Sequence, residues 1–149
     1  MLDWLADTSI AHAVGDSVAV FATIEGLHIL SIALLCGCVL LVGLAGLEIR
    51  LREAATGSIE QGLRIPFRAA LLAAAITGIL LFSTSPQKYL TNPLFGIKLG
   101  LLALALTVQV YRARRVRRIG SDARARALAG VSLFLWFGVV TAGRWIGLV

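Results

Sequence analysis

The chain has 149 residues, a formal charge of +6 and a hydrophobic fraction of 58%, with a mean hydropathy of +0.89. The length suits one domain, and the hydropathy is far above that of a soluble domain. The basic residues are concentrated in short segments between apolar runs, which excludes a nucleic-acid role and indicates membrane topology. We therefore predict an integral membrane protein with a single membrane domain over 1–149.

The first predicted element is an interfacial segment over 1–17 that carries His12. Its apolar residues recur on one helical face, namely Leu2, Leu5, Ala6, Ile10 and Ala13. Trp4 is of a type enriched at membrane interfaces. The segment lacks the basic start and the cleavage site of a signal peptide. We expect a short amphipathic helix lying on the outer surface of the membrane.

Four apolar runs follow that are long enough to cross a bilayer, which requires ~20 helical residues. They cover roughly 18–47, 66–85, 93–110 and 127–148. Because the connections between them are short, the helices should run up-down-up-down. The predicted fold is all-α, a four-helix transmembrane bundle with a short N-terminal interfacial helix.

The loops after the first and third runs hold eleven of the arginines. These are Arg50, Arg52, Arg64 and Arg68 in the first loop and Arg112, Arg114, Arg115, Arg117, Arg118, Arg124 and Arg126 in the second. Short loops rich in Lys and Arg stay cytoplasmic and contact anionic lipid headgroups. We therefore expect a multi-pass protein of the bacterial inner (cytoplasmic) membrane with both termini periplasmic.

Four ionisable residues lie inside the runs near the predicted outer side. Glu25 and His28 share one face of the first helix, because they are three residues apart. Lys98 follows Pro93 by five residues, which places it ~7 Å into the third helix. Arg144 lies near the end of the fourth run. Intramembrane charges are costly and commonly functional, so we predict that these side chains meet in one site. Snorkelling cations or a structural ion-pair network are the alternatives.

The predicted site has one carboxylate against two cations, so it lacks an anion. Haem b would supply two propionates, with His28 ligating the iron, Arg144 and Lys98 neutralising the propionates and Glu25 orienting the imidazole. Three ligation states stay open: His28 with Lys98, five-coordinate His28, or His28 from two copies of the chain. Bis-histidine ligation in one subunit would need His12 to fold back.

Copper is the second cofactor considered. His28 and Glu25, joined by His12 from the interfacial segment, could form a Cu(II) or Zn(II) site. Cys36 and Cys38 are two residues apart and point to different sides of a helix, and the single methionine starts the chain. No thiolate or thioether cluster for Cu(I) is therefore predicted.

Two further functional classes are a proton relay and a non-catalytic accessory subunit. A proton relay needs polar residues across the membrane, but the only obvious polar residues in the inner halves of the second and third spans are Thr77 and Gln109. A non-catalytic accessory subunit of a larger membrane complex stays open, as does a homo-oligomer. No hydrolase or nucleotide-binding motif occurs, and the residues do not decide whether the protein is an enzyme.

Three stretches carry a family resemblance: "IEGLHILSIALLCG" (24–37), "GILLFSTSPQKYLTNPLFGIKLGLL" (78–102) and "GRWIG" (143–147). With them the chain resembles an uncharacterised family of small four-span bacterial membrane proteins. A His in the first span and a Lys opening the third look like HemJ-type protoporphyrinogen oxidases, which implies haem-binding roles for His28 and Lys98. "NPLFGIKLGLLALAL" (92–106) is similar to the last part of CopD-type proteins, which implies copper handling near the outer face.

Overall fold

A computed structural model describes Trp4 and residues 7–47, 53–120 and 122–146, with the backbone alone at 53–57. The helices are α1 (Ser9–Gly15), α2 (Val18–Gly46), α3 (Glu53–Gly62), α4 (Arg64–Thr84), α5 (Pro86–Thr91), α6 (Pro93–Ile119) and α7 (Ala123–Ile146). No strand occurs in the described ranges. Leu2, Leu5, Ala6, Arg50 and Arg52 of the sequence predictions lie outside these ranges, as does the chain after residue 146.

Four of the described helices are long and apolar enough to cross a membrane: α2, α4, α6 and α7. Their most apolar windows have mean hydropathies from 2.6 in α2 to 1.6 in α7. The predicted all-α fold with four membrane spans and a short N-terminal helix is confirmed for the described residues. The protein is therefore a multi-pass membrane protein, and its apolar helices indicate a lipid bilayer as surroundings.

The helix α6 is longer than the span predicted over 93–110, because it continues to Ile119 through most of the second arginine cluster. The loop was inferred from charge, yet arginine is a good helix former. A helix also need not end where its hydrophobic stretch ends. Likewise α7 begins at Ala123, four residues before the predicted span. The loops also contain two helices that were not predicted, α3 and α5.

The turn between α6 and α7 is tight. Gly120 has a φ of 88°, a conformation that favours glycine, and its N–H donates to the carbonyl of Val116 at 3.0 Å. Asp122 then accepts from the backbone N–H of Ala125 at 2.8 Å, which caps α7. The Asp122 carboxylate also accepts from Nε of Arg115 at 3.1 Å. One aspartate thus joins both helices at this turn.

The chain divides into two compact units. The first contains residues 1–35 and 66–93, and the second contains 36–65 and 94–149. The second unit has a core of small and branched side chains from the end of α2, from α6 and from α7. Its most deeply buried apolar members are Ala45, Ala105, Ala125 and Ala129.

Small residues let α2 approach α7 within the second unit. A Cβ atom at Gly43 would lie 2.6 Å from Cγ of Leu133, and one at Gly46 would lie 3.1 Å from Cβ of Ala129. Both distances are shorter than an ordinary contact, so neither position has room for a side chain unless its neighbours move. Gly43 and Gly46 thus allow close contact between the two helices.

Candidate functional site

His28 and Thr77 form a hydrogen bond between α2 and α4 in the first unit. Nδ1 of the imidazole lies 2.8 Å from Oγ1 of Thr77. The same hydroxyl lies 2.7 Å from the carbonyl oxygen of Ala73, which can only accept. A hydroxyl has a single proton, so when Thr77 donates it to Ala73, Nδ1 of His28 is the donor to Thr77. In that tautomer of the neutral ring the lone pair lies on Nε2, as in a histidine that ligates through Nε2.

Gly78 provides the space for the His28 ring. A Cβ atom at Gly78 would lie 3.1 Å from Cε1 of His28 and 3.7 Å from Nδ1. The shorter distance is tighter than ordinary van der Waals contact, so a side chain would push the ring away from α4. Thr77 therefore holds Nδ1 of the ring, and Gly78 admits the ring close to the α4 backbone.

The prediction that Thr77 lies in the inner half of its span is wrong. Thr77 lies seven residues before the end of α4 at Thr84. This places Thr77 in the half of α4 nearer the predicted outer side. The alternation of spans reverses the direction of α4 relative to α2, so a late residue of α4 meets an early residue of α2.

Glu25 precedes His28 by one turn of α2 and is exposed. Burial raises the pKa of the Tyr89 phenol, and the negative charge of Glu25 raises it further. The Tyr89 ring also packs against Phe82, with ring centroids 5.9 Å apart. Glu25 thus lies near α5, a helix that the hydropathy pattern did not reveal.

The helix α1 packs through a different face from the predicted apolar one. Ala11 and Val14 are 3% and 4% exposed, whereas Ile10 and Ala13 are exposed. Thr8 caps this helix by accepting from the N–H of Ala11 at 3.3 Å. Ile10 and Ala13 are therefore available to a membrane interface, while the adjoining face with Ala11 and Val14 packs on the protein.

His12 lies on α1 and pairs with Asp16, with 3.8 Å between Nδ1 and Oδ2. Both side chains line an open cleft of about 430 Å³ together with Asp7 and Thr84. In the described part of the chain, no group of three or more His, Cys, Asp or Glu side chains is placed to hold a metal ion. The predicted ligands His12, Glu25 and His28 are therefore not gathered into one three-ligand centre.

In the second unit, Lys98 lies against α7 at Gly143. A Cβ atom at Gly143 would lie 3.3 Å from both Cε and Nζ of Lys98, so the missing side chain leaves room for the ammonium group. Arg144 is the next residue, and its side chain is exposed. Among the described residues of this unit, neither cation has a hydrogen bond or an ion pair. Their predicted meeting with Glu25 and His28 stays a prediction.

The second unit contains a buried ion pair that was not predicted from the sequence. Arg112 is 1% exposed, and its Nη2 donates to Oε2 of Glu60 at 3.2 Å. Its Nε has no hydrogen-bond partner among the described residues. Gly46 admits the guanidinium, since a Cβ atom there would lie 2.8 Å from Nη1. The pair joins α3, a helix between the spans, to the core of this unit.

A second buried polar contact lies one turn away along α6. Oγ of Ser132 donates to Oε1 of Gln109 at 2.7 Å, and Ser132 is 1% exposed. Gln109 and Arg112 share a face of α6 with the fully buried Ala105. The helical spacing of Ala105, Gln109 and Arg112 could have indicated one buried face in the sequence. Arg112 was instead assigned to a loop because of its charge.

The family model that matches this chain describes a family of unknown function, DUF6644, and the match covers residues 1–149. The chain belongs to this family, which agrees with the predicted resemblance to an uncharacterised family. No curated protein and no solved structure matches the chain. The resemblances to HemJ-type and CopD-type proteins stay predictions.

Proposed function

We propose that this member of the DUF6644 family is a membrane-integral haem b protein with a redox role, in which Nε2 of His28 ligates the iron. The observation that carries the proposal is the 2.8 Å hydrogen bond between His28 Nδ1 and Thr77. A histidine that ligates a metal through one ring nitrogen commonly donates the other N–H to an oxygen atom. This second contact orients the ring and makes the ligating nitrogen more basic.

The residues around His28 suit a haem better than a bare metal ion. A haem takes as few as one ligand from the protein, because the porphyrin supplies four. A copper or zinc ion held by the protein alone needs several ligands, and the described residues offer no cluster of three. His12 lies on α1, outside the spans, where it pairs with Asp16. His28 is therefore the proposed ligand.

When bound, the haem would supply one-electron chemistry. Thr77 would hold the proton on Nδ1 throughout, and Gly78 would keep the ring against α4. The proposal concerns His28 and its contacts on α4. A role for Lys98 and Arg144 at the propionates is a separate hypothesis, and substituting them should leave the iron ligand in place.

The test is the visible absorption spectrum of the full chain, purified in a neutral detergent from cells with ample haem supply. We expect a Soret band, and we expect His28→Ala to abolish it. His12→Ala is the matched control, because it removes the only other imidazole but should leave the band unchanged. Metal analysis on the same samples completes the experiment.

Three outcomes would contradict the proposal. A colourless wild-type protein would show that the chain binds no haem. A Soret band that persists in His28→Ala would show that His28 is not the iron ligand. Copper or zinc at one equivalent per chain, without haem, would favour the copper-handling alternative. If the protein holds neither haem nor copper nor zinc, an accessory subunit is favoured.

A further inference from the structure

One side of α6 carries an exposed stripe that is apolar in its first part and cationic in its last. Its members follow one another at intervals of three and four residues, which keeps them on one side of a helix. All of them are exposed, and they are Leu104, Thr107, Tyr111, Arg114 and Arg118. The packed side of α6 holds Ala105 and Arg112, which are 0% and 1% exposed. The stripe therefore faces away from the core of the second unit.

The first part of the stripe belongs to the membrane span. Only 6% of the most apolar window of α6 is buried inside the protein, so most of this window is left for lipid. Leu104 and Arg114 are ten residues apart on one helix, which corresponds to ~15 Å, or half of a hydrocarbon core of ~30 Å. Tyr111, between them, is 56% exposed and of a type enriched at the membrane interface. The two arginines therefore lie at the depth of the lipid headgroups.

The geometry of the two arginines suits a phosphate between them. Side chains on an α-helix tilt toward its N-terminus, and the apolar part of α6 lies on the N-terminal side of both. Arg114 and Arg118 thus lean toward the membrane. They are one turn apart, a spacing at which like charges destabilise a helix. An anion between them removes this repulsion, and a phosphate accepts paired hydrogen bonds from a guanidinium.

The chain itself supplies no such anion among the described residues. The carboxylates of the second unit whose side chains are described pair on other sides of α6, Glu60 with Arg112 and Asp122 with Arg115. Within the described ranges, neither arginine of the stripe has a hydrogen bond or an ion pair. The number of arginines bears on topology, whereas the position of these two on the lipid-facing stripe points to an anion outside the chain.

We propose that this stripe binds one anionic phospholipid, with its phosphate between Arg114 and Arg118 and an acyl chain along Leu104 and Thr107. A zwitterionic lipid has an ammonium group of its own and would leave the positive charge in excess. A second copy of the chain would also leave it in excess, because a two-fold interface pairs the same surface of both chains and would bring four arginines together. The proposal is independent of a haem at His28.

The test is native mass spectrometry of the full chain in a neutral detergent, which counts the lipids bound to each chain. Phosphatidylglycerol and phosphatidylcholine with the same acyl chains are titrated separately. We expect one phosphatidylglycerol per chain to bind more tightly than phosphatidylcholine, by about fivefold for each contributing arginine. Inorganic phosphate at the same concentration should not displace it, because phosphate has no acyl chain to bury.

Two double variants separate the stripe from the net charge of this end of α6. Arg114→Gln with Arg118→Gln should abolish the preference for phosphatidylglycerol. Arg117→Gln with Arg124→Gln removes the same charge but should retain the preference, because Arg117 lies off the stripe and Arg124 lies on α7. Nε of Arg117 also donates to the carbonyl of Ala113 at 3.2 Å. Without anionic lipid, both double variants should unfold at nearly the wild-type temperature, since all four side chains are exposed.

Several results would overturn the proposal. Equal affinity of the wild type for the two lipids would show that the arginines do not select the headgroup. An equal loss of preference in the two double variants would show that net charge, and not the stripe, attracts the lipid. Displacement of phosphatidylglycerol by inorganic phosphate would show that the acyl chain makes no contact. A dimer without bound lipid would show that a second copy covers the stripe.

Discussion

Thr77 is the hydrogen-bond partner of Nδ1 of His28, so its substitution is the sharpest test at the residue scale. Thr77→Val keeps the shape of the side chain but removes the acceptor for Nδ1–H. We expect haem affinity to fall by ~10- to 100-fold, the usual effect of removing such an outer contact. Haem titration of the apoprotein, followed at the Soret band, measures the change.

Thr107→Val is the control for this substitution. The Thr107 hydroxyl also donates to a carbonyl one turn earlier, that of Ala103 at 2.8 Å, and Thr107 is exposed and belongs to the second unit. Both variants remove a similar bond within a helix, so their difference isolates the contact with His28. Equal haem affinity in the two variants would contradict the assigned role of Thr77.

Gly78 allows a second test at this scale. Gly78→Ala places a methyl group 3.1 Å from Cε1 of His28, so we expect a displaced ring and a smaller Soret band. Gly100→Ala is the control, because nothing lies within 4 Å of its Cβ position. It should retain haem and gain up to about 1 kcal/mol in helix stability. Unchanged haem content in Gly78→Ala would mean that the ring does not need this space.

These residues show where prediction from the sequence stops. The spacing of Glu25 and His28 was sufficient to place both on one helical face. Thr77 and Gly78 could not be assigned to them, because the contact depends on the register between α2 and α4. Register is set by packing along the whole contact between two helices, and a uniformly apolar span contains little information about it.

At the scale of helices, the buried pair of Glu60 and Arg112 holds α3 to α6. Arg112→Met would leave the Glu60 carboxylate buried without a counter-charge, so we expect a loss of ~3–5 kcal/mol in stability. The double variant Arg112→Met with Glu60→Met should recover much of this loss, because it removes both charges. Reversible unfolding of the purified protein in mixed micelles measures each free energy.

The neighbouring Arg114 serves as the control, since it is exposed on the same helix. Arg114→Met should change stability by no more than ~0.5 kcal/mol. If Arg112→Met behaves like Arg114→Met, then Glu60 and Arg112 do not form a buried pair in the membrane. If the double variant loses as much stability as the single variants Arg112→Met and Glu60→Met lose together, the ion pair itself is not the source of stability.

The turn from α6 to α7 predicts a dependence on pH. The Arg115 guanidinium, together with the N–H of Ala125, lowers the pKa of Asp122 from 3.8 to about 2. The folded protein therefore binds fewer protons at Asp122 than the unfolded chain between these values. The stabilisation by Asp122 is fully present above pH 3.8 and is lost as the pH falls toward 2.

Asp122→Asn isolates this effect, because asparagine also caps helices but has no charge. We expect the variant to unfold at a lower temperature than the wild type at pH 5 and above. The difference should shrink as the pH falls from 3.8 to 2. Thermal unfolding in detergent across this range is the measurement, and a difference that does not vary with pH would exclude the ion pair as its cause.

The positions of the spans were predictable, but the ends of the helices were not. Twenty apolar residues in a row are sufficient evidence for a span, and all four runs were found. The arginines of 112–118 were treated as a loop, although they continue α6. Charge locates the membrane surface, whereas helix ends depend on caps and turn residues, here Gly120 and Asp122.

At the scale of the whole molecule, the charge distribution predicts the orientation in the membrane. Eleven arginines lie in the connections after the first and third apolar runs or in the adjoining helix ends, whereas the only other basic residues are Lys88, Lys98 and Arg144. By the positive-inside rule we predict the arginine-rich side in the cytoplasm and both termini in the periplasm. Since the described helices include four candidate spans, α2, α4, α6 and α7, we expect both termini on the same side.

Reporter fusions in a bacterial host measure this orientation. Alkaline phosphatase, which is active only in the periplasm, should be active when fused after Val149 and inactive when inserted at Leu63, between α3 and α4. Green fluorescent protein, which folds in the cytoplasm, should give the opposite pattern. An insertion after Thr91, at the end of α5, should behave like the C-terminal fusion. If the C-terminal reporter is active only in the cytoplasm, the orientation is inverted, and His28 then lies toward the cytoplasmic side.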